Sequence, residues 1–336
     1  MRNGTAQKRK KHSLYVKRRN KKVKTAFLVG SSVVLLAVFF LVKSFIVPAV
    51  SAFSSESNNL KDKDIYSIIF VEKGENNIIK TAKLLVAQKS DNKLYSINIP
   101  TSTIVDLPGR LGEEEYGKIL EISMSMDQNN NSAGLLVEST KKLLKINVDR
   151  YAISTTLAFN SIDNAVFEKD VSLILPWEFK KTAAQTDTNL SVGEALDFVN
   201  FARGLNARDV TEIDLGQVAD MNLIIRDLSL NGEVAQESLG VVILNGTGVG
   251  NAAKETSQVF QNMGARISLI SNAENEYEKS YLVTDNPLSA TARYIKSYYP
   301  NINIVSKSSA ASLGEDSLDR GDICVIVGFD ILEQLE

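Results

Sequence analysis

At 336 residues the chain has room for a short anchor plus one large or two ordinary domains, and its 38 Lys and Arg nearly balance 40 Asp and Glu, for a net charge of −2. The lone cysteine, Cys324, excludes an intrachain disulfide, and the lone histidine, His12, lies in the first 24 residues. Beyond that tail a Ser/His/Asp or Cys/His catalytic set, or a His-ligated zinc, is therefore excluded, and any chemistry must run on carboxylates, Arg, Lys or a bound cation.

Residues 1–24 carry eleven Lys or Arg and no acid, and an apolar run, Thr25 to Val47, follows, broken only by Lys43. The uncharged stretch Thr25 to Val42 almost crosses a hydrocarbon core of about 30 Å, Ser44 to Val47 add the missing turn, and Lys43 can snorkel to the headgroups. The reading is a transmembrane helix over 25–47 with a basic cytoplasmic tail, the rest of the chain lying outside the cell. Val50-Ser51-Ala52 has the pattern of a signal-peptide cleavage site, but the apolar run is longer than such signals carry. A basic arm for nucleic acid is the other alternative, and retention of the tail by its charge is the simpler account. Without the tail and Lys43, 26 cations face 40 acids, near −14, which disfavours polyanion binding by bulk charge.

Residues 48–64, polar and without apolar periodicity, read as a linker. Ile65 to Val71, Lys80 to Gln88 and Lys93 to Ile99 are predicted strands, the last two forming a hairpin across Ser90-Asp91-Asn92. Asp106-Leu107-Pro108-Gly109 reads as a turn, and Glu113 to Met126 and Ala133 to Leu144 have helical spacing. Tyr151 to Ser154 and Val171 to Leu175 read as strands, with a short helix starting at Thr155 to Phe159 between them. A helix is expected over Ser191 to Arg203, with Ser191 as its cap and Glu194 at the capping-box position, and another over Leu215 to Leu228. After a polar join at Ser229 to Ser238 come strand Gly240 to Leu244, helix Asn251 to Met263, strands Arg266 to Ser271 and Ser280 to Thr284, helix Ser289 to Tyr299, and strands Ile302 to Ser306 and Asp322 to Gly328. The fold class is α/β: a sandwich with a mixed sheet over 65–229, then a small split-βαβ domain over 239–332, with Cys324 in a buried strand.

Two parts of the chain resemble the LytR-CpsA-Psr family of envelope proteins. Val242-Ile243-Leu244-Asn245-Gly246-Thr247-Gly248-Val249, then Ala252-Ala253, Gly264-Ala265-Arg266, Ser271-Asn272-Ala273 and the strand ending Val327-Gly328-Phe329-Asp330 look like the LytR_C accessory domain that follows the enzymatic domain in many of these proteins. Upstream, Asn98-Ile99-Pro100-Thr101-Ser102-Thr103 and the approach to Pro108-Gly109, Ile146 to Tyr151, and Val192-Gly193-Glu194-Ala195-Leu196 are similar to the family's own segments in order and spacing.

The resemblance implies transfer of an anionic glycopolymer from a polyprenyl pyrophosphate to peptidoglycan, with arginines on the pyrophosphate and carboxylates holding a divalent metal such as Mg. The charged positions are where the chain departs. The family's Arg-Ser-Asp-Thr run falls on Ile78-Ile79-Lys80-Thr81, its Arg-Asp pair on Thr101 and Ser102, and its helix arginine on Asn200, with Glu212 and Leu215 at two further expected arginines. Thr81, Thr103, Asp209 and Arg203 or Arg208 are the polar remnants. A cation about 4 Å from a phosphate oxygen contributes roughly 4 kcal/mol before desolvation at an effective dielectric near 20, so losing three or four points to a degenerate domain without catalytic residues.

Other signals have structural and functional readings. Asn245, Gly246, Thr247 and Gly248, with Gly250, lie between a strand and a helix where amides could cradle a phosphate or a glycan group, but a tight turn needing positive φ explains them as well and the spacing is not that of a dinucleotide site. Glu113-Glu114-Glu115 could hold a cation or complement a helix dipole, and Asp209, Glu212 and Asp214 could be a relic metal site or a solvated approach to a helix. Trp177, Phe179 and Phe198 could stack on sugar or fill a core. The expected function is that of a membrane-anchored, extracytoplasmic binding or assembly factor in cell-wall polymer attachment. It would need no cofactor, and its partners would be glycopolymer, peptidoglycan or envelope-assembly proteins rather than nucleic acid. The alternatives are a divergent Mg-dependent phosphotransferase and an envelope-sensing transcriptional attenuator that signals through the tail.

Overall fold

Strands β1 (Ile65–Lys73), β2 (Ile79–Gln88) and β3 (Lys93–Ile99) form antiparallel neighbours in the middle of a six-stranded mixed sheet. The computed structural model describes residue 60 and residues 63–126, 132–155, 186–218 and 221–335. The expected span Thr25 to Val47, the strand at Val171 to Leu175 and nearly all of the helix at Thr155 to Phe159 fall outside them. Among the described residues no helix is long and apolar enough to cross a membrane. β4 (Ile104–Leu107) and β5 (Gly112–Glu115) make a separate hairpin, and β6 (Arg150–Ser154), β7 (Thr186–Thr188) and β8 (Val210–Asp214) complete the large sheet in the order β7-β6-β1-β2-β3-β8.

Each strand alternates between two apolar layers because side chains point to opposite faces. Ile69, Val71, Ala82, Leu84, Val86, Ile97 and Ile99 face α1 (Ile119–Met126) and α2 (Ser132–Leu144) through Tyr116, Ile119, Leu120 and Leu136. On the opposite face Tyr66, Ile68, Phe70, Leu85, Ala87 and Leu94 pack on α3 (Val192–Gly204) through Phe198, Ala202 and Leu205. Phe198 is therefore a core residue, its ring 6.2 Å from that of Tyr66 at 81°. α3 has the predicted capping box: Ser191 Oγ accepts from Glu194 N, and the Glu194 carboxylate accepts from Ser191 N.

Three expectations change. Glu113–Glu115 lie on a strand, not at a helix start, because Val105↔Glu114 and Asp106↔Glu113 are ladder pairs. The helix proper begins at Ile119, after Thr103 and Thr101 carbonyls have taken the Tyr116 and Gly117 amides in a short 3-10 turn. Gly109 (φ 80°) and Gly112 (φ 82°) supply the backbone that closes this hairpin. Second, Val210–Asp214 is an edge strand parallel to β3 rather than a helix approach; Leu215–Gln217 forms a 3-10 turn and α4 covers only Met221–Ser229. Third, the polar join contains α5 (Gly232–Glu237), whose first-turn amides at Glu233 and Val234 are capped by Asn231 Oδ1.

The second sheet is built from β9 (Gly240–Asn245), α6 (Ala252–Asn262), β10 (Arg266–Asn272), β11 (Tyr281–Val283), α7 (Ala290–Tyr298), β12 (Asn303–Val305), the short helix α8 (Lys307–Ala310), β13 (Ile323–Val327) and α9 (Phe329–Leu335). Its order is β10-β9-β13-β11-β12, with β9 parallel to β10 and β13, and β11 parallel to β12 but antiparallel to β13. This corrects the split-βαβ expectation: each βαβ pair is directly adjacent, and the last strand inserts between the two units. Burial explains the placement. Ile323–Val327 is fully apolar, save the small thiol of Cys324, and fully buried, which suits a central strand covered on both faces.

The second sheet has its own two cores, and the seam between the domains is polar. Lys141 Nζ donates to Tyr298 O (2.9 Å) and lies 4.8 Å from that ring; Lys145 Nζ donates to Gln258 Oε1; Lys63 Nζ (2.8 Å) and Asn147 Nδ2 (3.0 Å) donate to Ser297 Oγ. Phe260, with no exposed surface, fills the centre of the second core against Tyr299. Phe260→Ala should destabilise this domain by about 3–5 kcal/mol, measured by urea unfolding, and should leave the first sheet's transition in place because the two cores are separate.

Candidate functional site

Strand parity places a set of polar side chains at one edge of the large sheet. Toward the carboxyl ends of the parallel pairs β1/β6 and β3/β8, the face that carries α3 turns polar. Ser154, Glu72 and Thr81 form one cross-strand row, Lys83, Asn98 and Asp214 a second, and Ser96 and Glu212 a third. Carboxyl ends of parallel strands are where α/β sheets commonly bind ligands. Among the described residues the polar rows carry three carboxylates, Glu72, Glu212 and Asp214, and the ammonium of Lys83, and Lys73 and Lys80 stand at the same end of β1 and β2. Asp214 is engaged locally, taking Gly216 N (3.1 Å) on Oδ1 and Gln217 Nε2 (3.1 Å) on Oδ2. Among the described residues no group of three His, Cys, Asp or Glu is placed to hold a metal ion.

The five remnants are not brought together. Thr81 lies in the first polar row, and Thr103, in the loop after β3, accepts Tyr116 N on its carbonyl near the same edge. Arg203, in the last turn of α3, and Arg208 and Asp209, in the turn before β8, lie at the opposite edge, roughly the length of a five-residue strand away. Arg208 is exposed, and Asp209 accepts from Asn206 N (3.0 Å) and Nδ2 (2.9 Å). Trp177 and Phe179 fall outside the described residues.

Sequence reasoning missed the feature that fixes this architecture. Arg150, at the start of β6, is buried against Glu194 of α3: Nη2 to Oε1 is 2.6 Å, and Nε lies 3.1 and 3.2 Å from the two carboxylate oxygens. Arg150 Nη1 donates to Asp149 O, Ser191 Oγ to Glu194 Oε2 (2.9 Å), and Leu60 N to Glu194 Oε1 (3.5 Å). Burial raises the Glu194 carboxyl, but the Arg150 guanidinium and the Ser191 amide and hydroxyl outweigh it and hold the pKa below the usual glutamate range. Next door, Asp149 accepts from Lys63 Nζ (2.5 Å), Asn147 Nδ2 (2.6 Å) and Ser67 N (2.9 Å). The available signal was a single arginine opening an otherwise uncharged strand, which needs an acid if it is to be buried.

In the second domain, the turn at Asn245 to Gly248 uses its own amides. Gly246 N donates to Val327 O, Thr247 N and Oγ1 to Asn245 Oδ1, and Val249 N to Thr247 Oγ1. Gly248 is left-handed (φ 68°), and a Cβ on Gly246 would stand 2.6 Å from Tyr277 Cδ2. The loop that covers the turn brings the Glu276 carboxylate to 3.0 Å from where a Gly248 Cβ would be, a poor surrounding for a phosphate. Tyr277 Oη is in turn held by Glu315 Oε1 at 2.7 Å.

Arg150→Ala should cost about 3–5 kcal/mol by leaving Glu194 buried and unpaired. Because the folded Glu194 pKa is depressed, its contribution is present above the ordinary glutamate pKa and fades as acidification passes through the folded value. Urea unfolding of wild type and Arg150→Ala should therefore converge in acid. Gly246→Ala should destabilise by about 1–3 kcal/mol through the clash with Tyr277, while Gly250→Ala, with nothing within 4 Å of the new carbon, should be nearly neutral in the same assay.

Residues 238–330 match the family model described as LytR cell envelope-related transcriptional attenuator, LytR_C. No curated protein sequence matches the chain. Among solved structures it is similar to the transcriptional regulator yvhJ from Bacillus subtilis, at 15% identity over 46% of this chain and 83% of that one, with a TM-score of 0.33. It is also similar to gbs0355 from Streptococcus agalactiae, at 11% identity over 52% and 90%, TM-score 0.37. A third is the LytR-CPS2A-psr family protein YwtF (TagT) with bound octaprenyl pyrophosphate lipid, at 13% over 50% and 90%, TM-score 0.32. The family match thus covers the second domain: residues 238–330 are a LytR_C-type domain.

Proposed function

We propose that this chain is a membrane-anchored envelope protein whose first domain keeps a LytR-CpsA-Psr-like frame without its phosphotransfer chemistry, and which acts as a binding or assembly factor in cell-wall polymer attachment. The observation that carries this reading is the make-up of the carboxyl edge of the large sheet: among the described residues its polar rows carry three carboxylates, with Lys83 on them and Lys73 and Lys80 beside them, and the one arginine in register with these rows, Arg150, is held by Glu194. The described arginines of this domain are engaged or placed elsewhere. Arg110 is in the β4–β5 turn, Arg150 is bound to Glu194, Arg203 and Arg208 are at the opposite edge, and Arg226 is on α4. A pyrophosphate brought to the polar rows would meet three carboxylates, which oppose the charge that a departing phosphate develops. In this reading Thr25 to Val47 spans the membrane, residues 1–24 remain cytoplasmic by charge, and the domains face the envelope. No cofactor is required; Mg belongs to the divergent-enzyme alternative.

Purified full-length protein in detergent or nanodiscs should bind a polyprenyl pyrophosphate no more tightly with magnesium than without it, and should transfer no glycopolymer to peptidoglycan in a reconstituted assay. Magnesium-dependent tight binding together with transfer would overturn the proposal. Protease added outside intact spheroplasts should remove the folded domains and spare the tail; complete protection would overturn the orientation.

A further inference from the structure

The chain contains three Asn-Gly pairs, at Asn3, Asn231 and Asn245, and the last two lie within the described residues. A glycine after asparagine leaves the following amide nitrogen unshielded and its backbone free to turn, so that nitrogen can reach the side-chain carbonyl carbon. The surroundings separate the two pairs. Asn245 is locked: Oδ1 accepts from Thr247 N (3.1 Å) and Oγ1 (2.8 Å), Nδ2 donates to Val249 O (2.8 Å), and Gly246 N donates to Val327 O (2.9 Å). Gly246 is buried with Tyr277 Cδ2 2.6 Å from where its Cβ would be, so this backbone has no room to rearrange.

Asn231 stands on the polar join. Its Oδ1 caps Glu233 N (2.9 Å) and Val234 N (3.1 Å), but the helix it caps, α5, has six residues, of which only Val234 is buried. A turn with so little buried surface opens at small cost. Gly232 is exposed, a Cβ on it would meet nothing within 4 Å, and its N–H is the first of the helix, which no helical carbonyl can take. Ring closure requires Asn231 to leave its extended ψ of 115°, a rotation that the opened turn allows.

We infer that Asn231 is a self-modification site, at which the folded chain deamidates without an enzyme. Gly232 N gives up its proton to base in solution and attacks Asn231 Cγ. As the new C–N bond closes a succinimide ring, the Cγ–Nδ2 bond breaks and Nδ2 leaves as ammonia, taking a proton from water. Water then opens the ring at either carbonyl, giving aspartate or isoaspartate, with no change of oxidation state. Aspartate keeps the capping oxygen, whereas isoaspartate routes the backbone through Cβ and Cγ and takes that oxygen away. The consequence reaches beyond α5. Its Glu237 carboxylate accepts from Ala290 N (2.6 Å), Thr291 N (2.9 Å) and Thr291 Oγ1 (2.8 Å) at the start of α7, the helix that meets the first domain through Ser297 and Tyr298. Isoaspartate at this position therefore loosens the hold of the join on the helix that makes the seam.

The full chain in detergent, held in mildly alkaline buffer and then digested for mass spectrometry, should show the mass change from amide to acid at Asn231, with isoaspartate detected by an isoaspartyl methyltransferase. Asn245 should convert at least about tenfold more slowly, because its turn must first unfold, and urea should bring the two rates together. Gly232→Ala, made where the new carbon has open space, should keep the fold and slow conversion at Asn231 by at least about tenfold by restricting the backbone. Hydrogen exchange of the Ala290 and Thr291 amides should quicken in the aged fraction. The inference is overturned by an Asn231 that stays intact while the urea-unfolded chain converts, by equal rates at Asn231 and Asn245 in the folded protein, or by a Gly232→Ala variant that converts as fast as wild type. Unchanged exchange in the isoaspartyl fraction would overturn its consequence for α7.

Discussion

A guanidinium buried against a carboxylate sets the geometry of the first domain. Arg150 opens β6, Glu194 lies in the first turn of α3, and their bidentate contact fixes that helix onto the sheet face from which Tyr66, Ile68 and Phe70 project. Removing two charges from water is costly, and the arrangement recovers that cost only because the Glu194 carboxylate is fully engaged: by Arg150, by the Ser191 amide and hydroxyl, and by the Leu60 amide. The capping box and the ion pair are therefore one object. The same carboxylate that ends the helix also aligns the strand.

That object also accounts for the fate of the domain's positive charge. An arginine engaged by a buried acid is not available to an anionic ligand, and Arg203 and Arg208 lie at the far edge from the polar rows. Among the described residues the carboxyl edge is left with the carboxylates of Glu72, Glu212 and Asp214 and the lysines Lys73, Lys80 and Lys83. The frame and the charge pattern are thus set by different residues: the apolar layers build the sheet, and the polar rows decide what its carboxyl edge presents.

Much of the architecture was legible because it rests on apolar runs. β1, β2, β3, β9 and β13 are continuous or strongly alternating, and Ser191 with Glu194 announced the start of α3 through local chemistry alone. The failures share a cause. β5 consists of Gly and Glu and β8 of Val-Thr-Glu-Ile-Asp, half-exposed segments whose period of two is masked by charge, so Glu113–Glu115 resembled a helix start and Val210–Asp214 a helix approach. The sheet order of the second domain depends on which strand wins the central place, a competition among buried surfaces that spacing along the chain does not encode. For the candidate site, the residue types were legible but their grouping was not: Thr81 and Asp209 look alike as survivors in sequence and stand at opposite ends of the fold.

Lys63 sits where the chain enters the fold, and its ammonium bridges Asp149 of the first domain and Ser297 of the second. Any tension carried along the polypeptide from its amino-terminal side meets Leu60, anchored in the first domain's core and by its amide on Glu194, before it reaches Lys63. A pull along the chain is therefore taken first by the core of the first domain, and Lys63 ties that domain to the second only behind this anchor.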